Sequence, residues 1–192
     1  MTCSRARINC SLAVKGDITE DDLKRLAVAT ARLSKAPLFI SEAGGASIGQ
    51  LRSRCRRMVQ RHAIKLVVVD YLQLLRSGEK MRSRYEEVTA LSGALKEIAR
   101  ELSIPMLVLA QLNRESERDD RKPRLSDLRD SGSIEQDADI VGLLHREDNE
   151  GQGPSNCQKV ELIIAKHRNG PTGIVNLIFR KEFTRFESAS RV

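Results

Sequence analysis

Two short, continuously apolar runs, each closed by a polar residue, constrain the fold of this chain more than any other feature. Leu66-Val-Val-Val69 runs into Asp70, and Met106-Leu-Val-Leu-Ala110 runs into Gln111. A strand with one solvated face alternates apolar and polar residues, so runs that are apolar throughout read as strands covered on both faces, the pattern of a parallel sheet. Between them Val88, Leu91, Leu95, Ile98, Ala99 and Leu102 recur at helical spacing and predict one long helix that Pro105 stops. Strand, crossover helix and strand make a βαβ unit. In such a sheet ligands gather outside the carboxyl ends of the strands, where Asp70 and Gln111 fall.

The flanking sequence extends this pattern. Residues 1–16 carry no clear signal, 17–187 form the main domain, and 188–192 read as a tail. Asp17 and Thr19 are N-cap candidates for a helix over about 19–34 that carries Leu23, Leu26, Ala27, Thr30 and Leu33 on one face. PLFIS (37–41) predicts a short strand, and Ser47 caps a second helix ending near His62. On that helix Leu51, Cys55, Met58 and Val59 face inward, while Arg52, Arg54, Arg56, Arg57 and Arg61 point mostly away. These arginines could track phosphates, but a solvated outer face explains them equally well, and they are assigned no site.

The charged stretch through Arg124 reads as a mobile loop, followed by a short helix over 131–136 and a strand over 140–145. Residues 148–156 read as a surface loop, and strands over 160–166 and 174–179 flank Asn169-Gly170, a strong hairpin signal. The expected class is α/β: a mainly parallel sheet flanked by helices, with a C-terminal antiparallel hairpin.

Composition narrows the partners. Lys and Arg number 33 against 26 Asp and Glu, a formal charge of +7, which suits a polyanion but also occurs in basic proteins without one. With two Tyr, four Phe and no Trp, base stacking is not expected to dominate recognition. Cys3, Cys10, Cys55 and Cys157 lack C-x-x-C spacing, and His62, His145 and His167 lack metal-ligand periodicity, so neither zinc nor a disulfide is expected. No apolar run approaches the roughly 18 residues of a membrane span. The N-terminus has no signal-peptide core, so no membrane partner is expected and the cytoplasm is the expected compartment.

An apolar strand ending in aspartate is the Walker B arrangement, in which the carboxylate holds magnesium, usually through water. Read alone, Asp70 is as well explained by an ordinary turn cap. The wider set is more specific. VVVDYLQLL (67–75), LAQLNR (109–114), SDLRDSGSIEQDADIV (126–141) and AKHRNGPTG (165–173) resemble, in order and spacing, the C-terminal motor domain of DnaB-type replicative DNA helicases. The similarity runs from about Asp17 to Glu187 and implies a RecA-like P-loop NTPase core, incomplete at its N-terminal side. It also implies a ring hexamer that consumes ATP with Mg2+ to translocate on single-stranded DNA.

Roles transfer only where residues match. Asp70 matches the magnesium residue, and Gln111 the polar sensor that relays the γ-phosphate state to the DNA loops. Arg129, Asp130 and Gly132 match the DNA-binding loop. Arg129 can pair with a phosphate and Gly132 permits close backbone approach, while Asp130, itself repelling phosphate, would engage DNA only through its amide. A routine capped helix start explains that segment as well when it is read alone. Lys166 and Arg168, two apart on a strand, point the same way and match the pair presented to a neighbouring subunit's nucleotide. An exposed basic hairpin is the plainer alternative.

One family element is missing. A triphosphate motor needs a Gly-rich loop followed by Lys and Ser or Thr. Gly44-Gly-Ala-Ser-Ile-Gly49-Gln50-Leu51 copies the glycine spacing, but Gln50 stands for the cation and Leu51 for the hydroxyl, so Ser47 is read as a helix cap. In the family that loop and the glutamate that activates water precede the part matched here. The chain alone is therefore expected neither to bind ATP and Mg2+ tightly nor to hydrolyse ATP. Both a piece of a longer motor and a natural short form stay open. A non-catalytic module that binds single-stranded DNA or docks on a helicase ring is the alternative function. The related recombinases are a third reading, disfavoured by the KHRNGP and DYLQLL strings.

Overall fold

A computed structural model describes residues 1–42, 44–79, 81–112, 121–146 and 156–189, with only the backbone of 129–131. The charged loop at 113–120 and most of the surface loop at 148–156 lie outside the described residues. The elements in chain order are α1 (Thr2–Ala6), α2 (Cys10–Lys15), α3 (Glu20–Ser34), α4 (Ile48–His62), β1 (Val67–Val69), α5 (Arg84–Leu102) and β2 (Met106–Val108). A 3-10 segment (Leu125–Ser131) leads into α6 (Gly132–Asp137), followed by β3 (Ile140–Arg146), β4 (Cys157–His167), β5 (Gly173–Arg180) and β6 (Arg185–Ser188).

Capping chemistry sets the helix starts. Thr19 accepts from the Asp22 N–H while the Asp22 carboxylate accepts from the Thr19 N–H, and Ser47 and Gln50 exchange the same two bonds at the head of α4. Gln50 is thus committed to the cap.

β1 and β2 pair in parallel, Val67 opposite Met106 and Val69 opposite Val108. The other four strands form a second sheet in the order β3-β4-β5-β6, with β4–β5 and β5–β6 antiparallel. The α/β class is therefore realised as a parallel pair with its crossover helix plus an antiparallel sheet. No helix among the described residues is long and apolar enough to cross a membrane.

The chain divides into two compact units. The first comprises Met1–Ile40 and the described parts of Gly142–Ile164 and Thr172–Val192. Residues 1–16, which carry no sequence pattern, form two short helices here. Asn9 caps α2, Gly16 closes it in the left-handed region, the Cys10 N–H donates to the Glu182 carbonyl at 2.9 Å, and Phe179 and Phe186 stack at 4.8 Å.

The second unit comprises Ser41–Val141 and Ala165–Pro171. Its core joins Val69, Leu72, Leu75, Val88, Leu91 and Leu95, so α5 lays its apolar stripe on β1 and the turn that follows it. Ser92, buried in that stripe, is satisfied by the Asp137 carboxylate at 2.7 Å. The arginines of α4 turn out to be partly paired: Arg52 with Glu97 at 2.9 Å, and Arg56 with Glu101, both partners on α5.

One local expectation fails. PLFIS joins no sheet: a strand needs a neighbour for its backbone groups, and Leu38, Phe39 and Ile40 are instead exposed. The hairpin expected around Asn169-Gly170 does form, with antiparallel β4–β5 pairing that reaches Ile164 opposite Gly173. A Cβ at Gly170 would come within 2.3 Å of the His167 ring, so a larger residue there would have to displace that imidazole.

Candidate functional site

Asp70, Gln111, the 129–132 loop, Lys166 and Arg168 all fall in the second unit. Asp70 directly follows β1, exposed, while Val69 before it is buried in the core, so the strand delivers a solvent-facing carboxylate from a fixed base. Among the described residues that carboxylate has no hydrogen bond or ion pair. The adjoining strand ends are tied together: the Leu109 N–H donates to the Val69 carbonyl at 2.9 Å, and the Leu72 N–H to the Leu109 carbonyl at 2.8 Å.

Gln111 is held from the β1 side by a residue the sequence did not single out. The Gln73 side chain accepts from the Gln111 N–H at 3.3 Å and donates to the Gln111 carbonyl at 3.2 Å, a two-point clamp on the backbone that leaves the Gln111 side chain exposed. A primary amide offers one donor and one acceptor side by side, which is what bracketing a peptide unit needs. An open cleft of about 670 Å3 lies beside this clamp, lined by Gln73, Leu75, Arg76, Gly78 and Arg84, but neither Asp70 nor Gln111 lines it.

The backbone of Arg129 and Asp130 lies in the 3-10 segment, and their side chains lie outside the described residues. Gly132 opens α6 in an ordinary right-handed conformation (φ −50°, ψ −25°), and a Cβ there would meet nothing nearer than the Tyr85 hydroxyl at 3.9 Å. Neither backbone strain nor packing within the described chain calls for glycine at this position.

Asp127 anchors the loop. The Arg121 guanidinium donates to both its oxygens at 2.8 Å, and the Arg124 N–H donates at 2.7 Å. These donors, Arg121 first, lower its carboxyl from the usual 3.8 to about 2. A depressed carboxyl contributes stability that is fully present above its unfolded value and lost as pH falls through its folded value. That contribution should therefore disappear between about pH 4 and about pH 2, the interval bounded by those two values. Asp127→Asn is expected to be less stable than the parent chain at neutral pH, with the two denaturation curves converging across this window. Curves that stayed parallel throughout it would contradict the assignment.

Lys166 and Arg168 both reach the segment that follows the loop. The Lys166 ammonium donates to the Glu135 and Gln136 carbonyls in the last turn of α6, where unpaired carbonyls and the negative helix end favour a cation. Arg168 gives its Nη1–H to Asp139 Oδ1 at 3.2 Å and its backbone N–H to the Asp139 carbonyl at 2.8 Å, with 48% of its side chain exposed. Geometry thus divides the pair: Lys166 caps α6, and Arg168 faces outward.

Asp70 suits a magnesium ion held largely by water and nucleotide. No cluster of three or more His, Cys, Asp or Glu side chains suited to a metal occurs among the described residues. Nor do these residues supply a phosphate cradle, because Ser47 and Gln50 are spent on capping α4. Among the described residues Asp70 fits the metal end of a nucleotide site, and none supplies its triphosphate cradle.

Known proteins share this sequence and this fold. Residues 1–188 match the family described as the DnaB-like helicase C terminal domain, so the match begins ahead of Asp17, where the sequence resemblance was expected to start. The chain is 42% identical over 193 residues to the replicative DNA helicase DnaC of Bacillus subtilis strain 168, covering 100% of this chain and 42% of the relative. Identity and coverage are the same for the replicative DNA helicase DnaB of Geobacillus stearothermophilus. The chain thus spans less than half the length of these curated relatives.

Among solved structures, one described as an ATPase domain aligns at a TM-score of 0.89 and 36% identity, over 98% of this chain and 68% of that one. A DnaB-like replicative helicase, described with its interactions with primase, aligns at a TM-score of 0.89 and 36% identity over 98% of this chain and 46% of its own.

Proposed function

The chain belongs to the DnaB-like helicase C-terminal domain family, and on that premise we propose that it is part of an ATP-dependent replicative DNA helicase that translocates on single-stranded DNA as a ring hexamer. The observation that carries this reading is the gathering of the motif residues in one unit, with Asp70 and Gln111 on adjoining strand ends and Arg168 facing outward.

Magnesium nucleotide, when bound, supplies the phosphoryl group that passes to water. Asp70 would hold the metal through its bound water, Gln111 would sense the terminal phosphate, and Arg168 would face the nucleotide of the neighbouring subunit, where its delocalised charge would offset charge developing during transfer. Lys166, half-buried near the end of β4, holds the last turn of α6 through the Glu135 and Gln136 carbonyls. Because the described residues hold no phosphate cradle, the chain alone is not expected to hydrolyse ATP. That same feature favours, as a second reading, a non-catalytic module acting on single-stranded DNA or docking on a complete ring.

DNA engagement is assigned to Arg129, the Asp130 amide and Gly132. Glycine at 132, unexplained by packing among the described residues, leaves room for a phosphate backbone to approach. The test uses a hybrid in which this chain replaces the matching segment of the Geobacillus stearothermophilus helicase. Arg129→Ala should weaken binding to single strands of all base compositions alike and reduce the salt slope by about 0.7. Gly132→Ala should fold as stably as the parent, since alanine fits the backbone and the space, yet bind DNA more weakly. A loss confined to certain base sequences, or unimpaired binding by Gly132→Ala, would refute the assignment.

A further inference from the structure

Asp139, two residues beyond α6 and 58% exposed, gathers three contacts. Its Oδ2 accepts from Lys96 Nζ, its Oδ1 from Arg168 Nη1 at 3.2 Å, and its backbone carbonyl from the Arg168 N–H at 2.8 Å. Lys96 is only 18% exposed and rises from α5, whose neighbouring Leu95 and Ile98 are buried, so one side of the carboxylate is fixed to the core of the unit. Lys96 first, and Arg168 more weakly, hold the Asp139 carboxyl below its usual range.

An isolated exposed ion pair orders little. Here the ion pair is backed by a backbone bond between the same two residues and by a half-buried lysine behind the carboxylate. Arg168 spends only one terminal nitrogen on Asp139. Its Nε and other terminal nitrogen have no partner among the described residues, so one edge of the planar fork is held while the other stays available.

We propose that Asp139, anchored by Lys96, is a positioning residue that orients the Arg168 guanidinium toward the neighbouring subunit's nucleotide. The inference rests on the trans role given to Arg168 above. Asp139 itself touches no nucleotide; it narrows the directions in which the arginine can point, and misplacing a charge-stabilising group by about 1 Å can cost on the order of 100-fold in rate.

Two measurements test it. On the chain alone, Asp139→Asn, which keeps size and removes charge, should raise severalfold the rate at which phenylglyoxal modifies Arg168, followed by peptide mass spectrometry with Arg57 and Arg61 as internal references. An unchanged relative rate would overturn the contact. In the hybrid ring, Asp139→Asn should lower kcat by about ten- to a hundredfold with KM near the parent value, and should cause no further loss in an Arg168→Ala background. Lys96→Met should lower kcat in the same direction but less. If Arg168→Ala itself leaves turnover intact, the trans reading falls and this inference with it. If Arg168→Ala is crippled while Asp139→Asn turns over like the parent, or if the two losses add, the positioning role alone is overturned.

Discussion

Arg168→Ala in the hybrid ring is expected to leave nucleotide affinity near the parent value while cutting turnover by as much as about 10³-fold, the scale associated with a trans-acting arginine. Binding and turnover should separate because Arg168 is tied to Asp139 beyond α6 and faces outward from its unit. A group supplied by the neighbour adds little to the ground state of a nucleotide already held by its own subunit, and acts when charge develops on the transferring phosphoryl group. Steady-state turnover together with equilibrium titration of a fluorescent nucleotide checks this. A parallel fall in affinity and turnover would place Arg168 in ordinary binding instead.

Leu91→Ala should cost about 3 kcal/mol of stability, within the range for leucine truncation in a packed core. Leu91 is 0% exposed and packs in the cluster with Val69, Leu72, Leu75, Val88 and Leu95. Val69 and Leu72 bracket Asp70, so the cavity opens beneath the strand end that carries the candidate metal residue. Leu91→Met, which nearly conserves volume, should cost less than about 1.5 kcal/mol. Urea denaturation of the chain itself measures both, and a loss below about 1 kcal/mol for Leu91→Ala would mean that the site relaxes or that this cluster is not the core.

Periodicity and capping were legible before the structure because they are local. Thr19 and Ser47 announced the starts of α3 and α4, and the apolar runs ending at Asp70 and Gln111 marked the two parallel strands. The motif strings named residues that the fold then gathered in one unit. What escaped was set by distant partners. α1 and α2 have little amphipathic stripe of their own, although Asn9 and Gly16 are cap signals that could have been read.

PLFIS has the composition of a strand but no ladder to join. The Asn169-Gly170 signal found the hairpin, whereas the bonds from Lys166 and Arg168 to residues 135–139 lay beyond any local signal. Gln73, Lys96 and Asp139 act across separations of 29 to 43 residues, which no local pattern encodes. Arg121 fell in a stretch read as mobile through Arg124, yet its bidentate ion pair with Asp127, six residues on, holds the described end of that stretch.

The trans arrangement is tested most directly by mixing two inactive hybrids. Asp70→Ala subunits keep Arg168, and Arg168→Ala subunits keep Asp70, so some interfaces of a mixed ring pair an intact Asp70 with an intact Arg168 from the next subunit. With subunit exchange verified by native mass spectrometry, ATP turnover is expected to rise above that of either hybrid alone and to peak near equal mixing. The contradicting result is turnover that stays at the single-mutant level at every ratio, while parent rings doped with either mutant lose activity only in proportion to the mutant added.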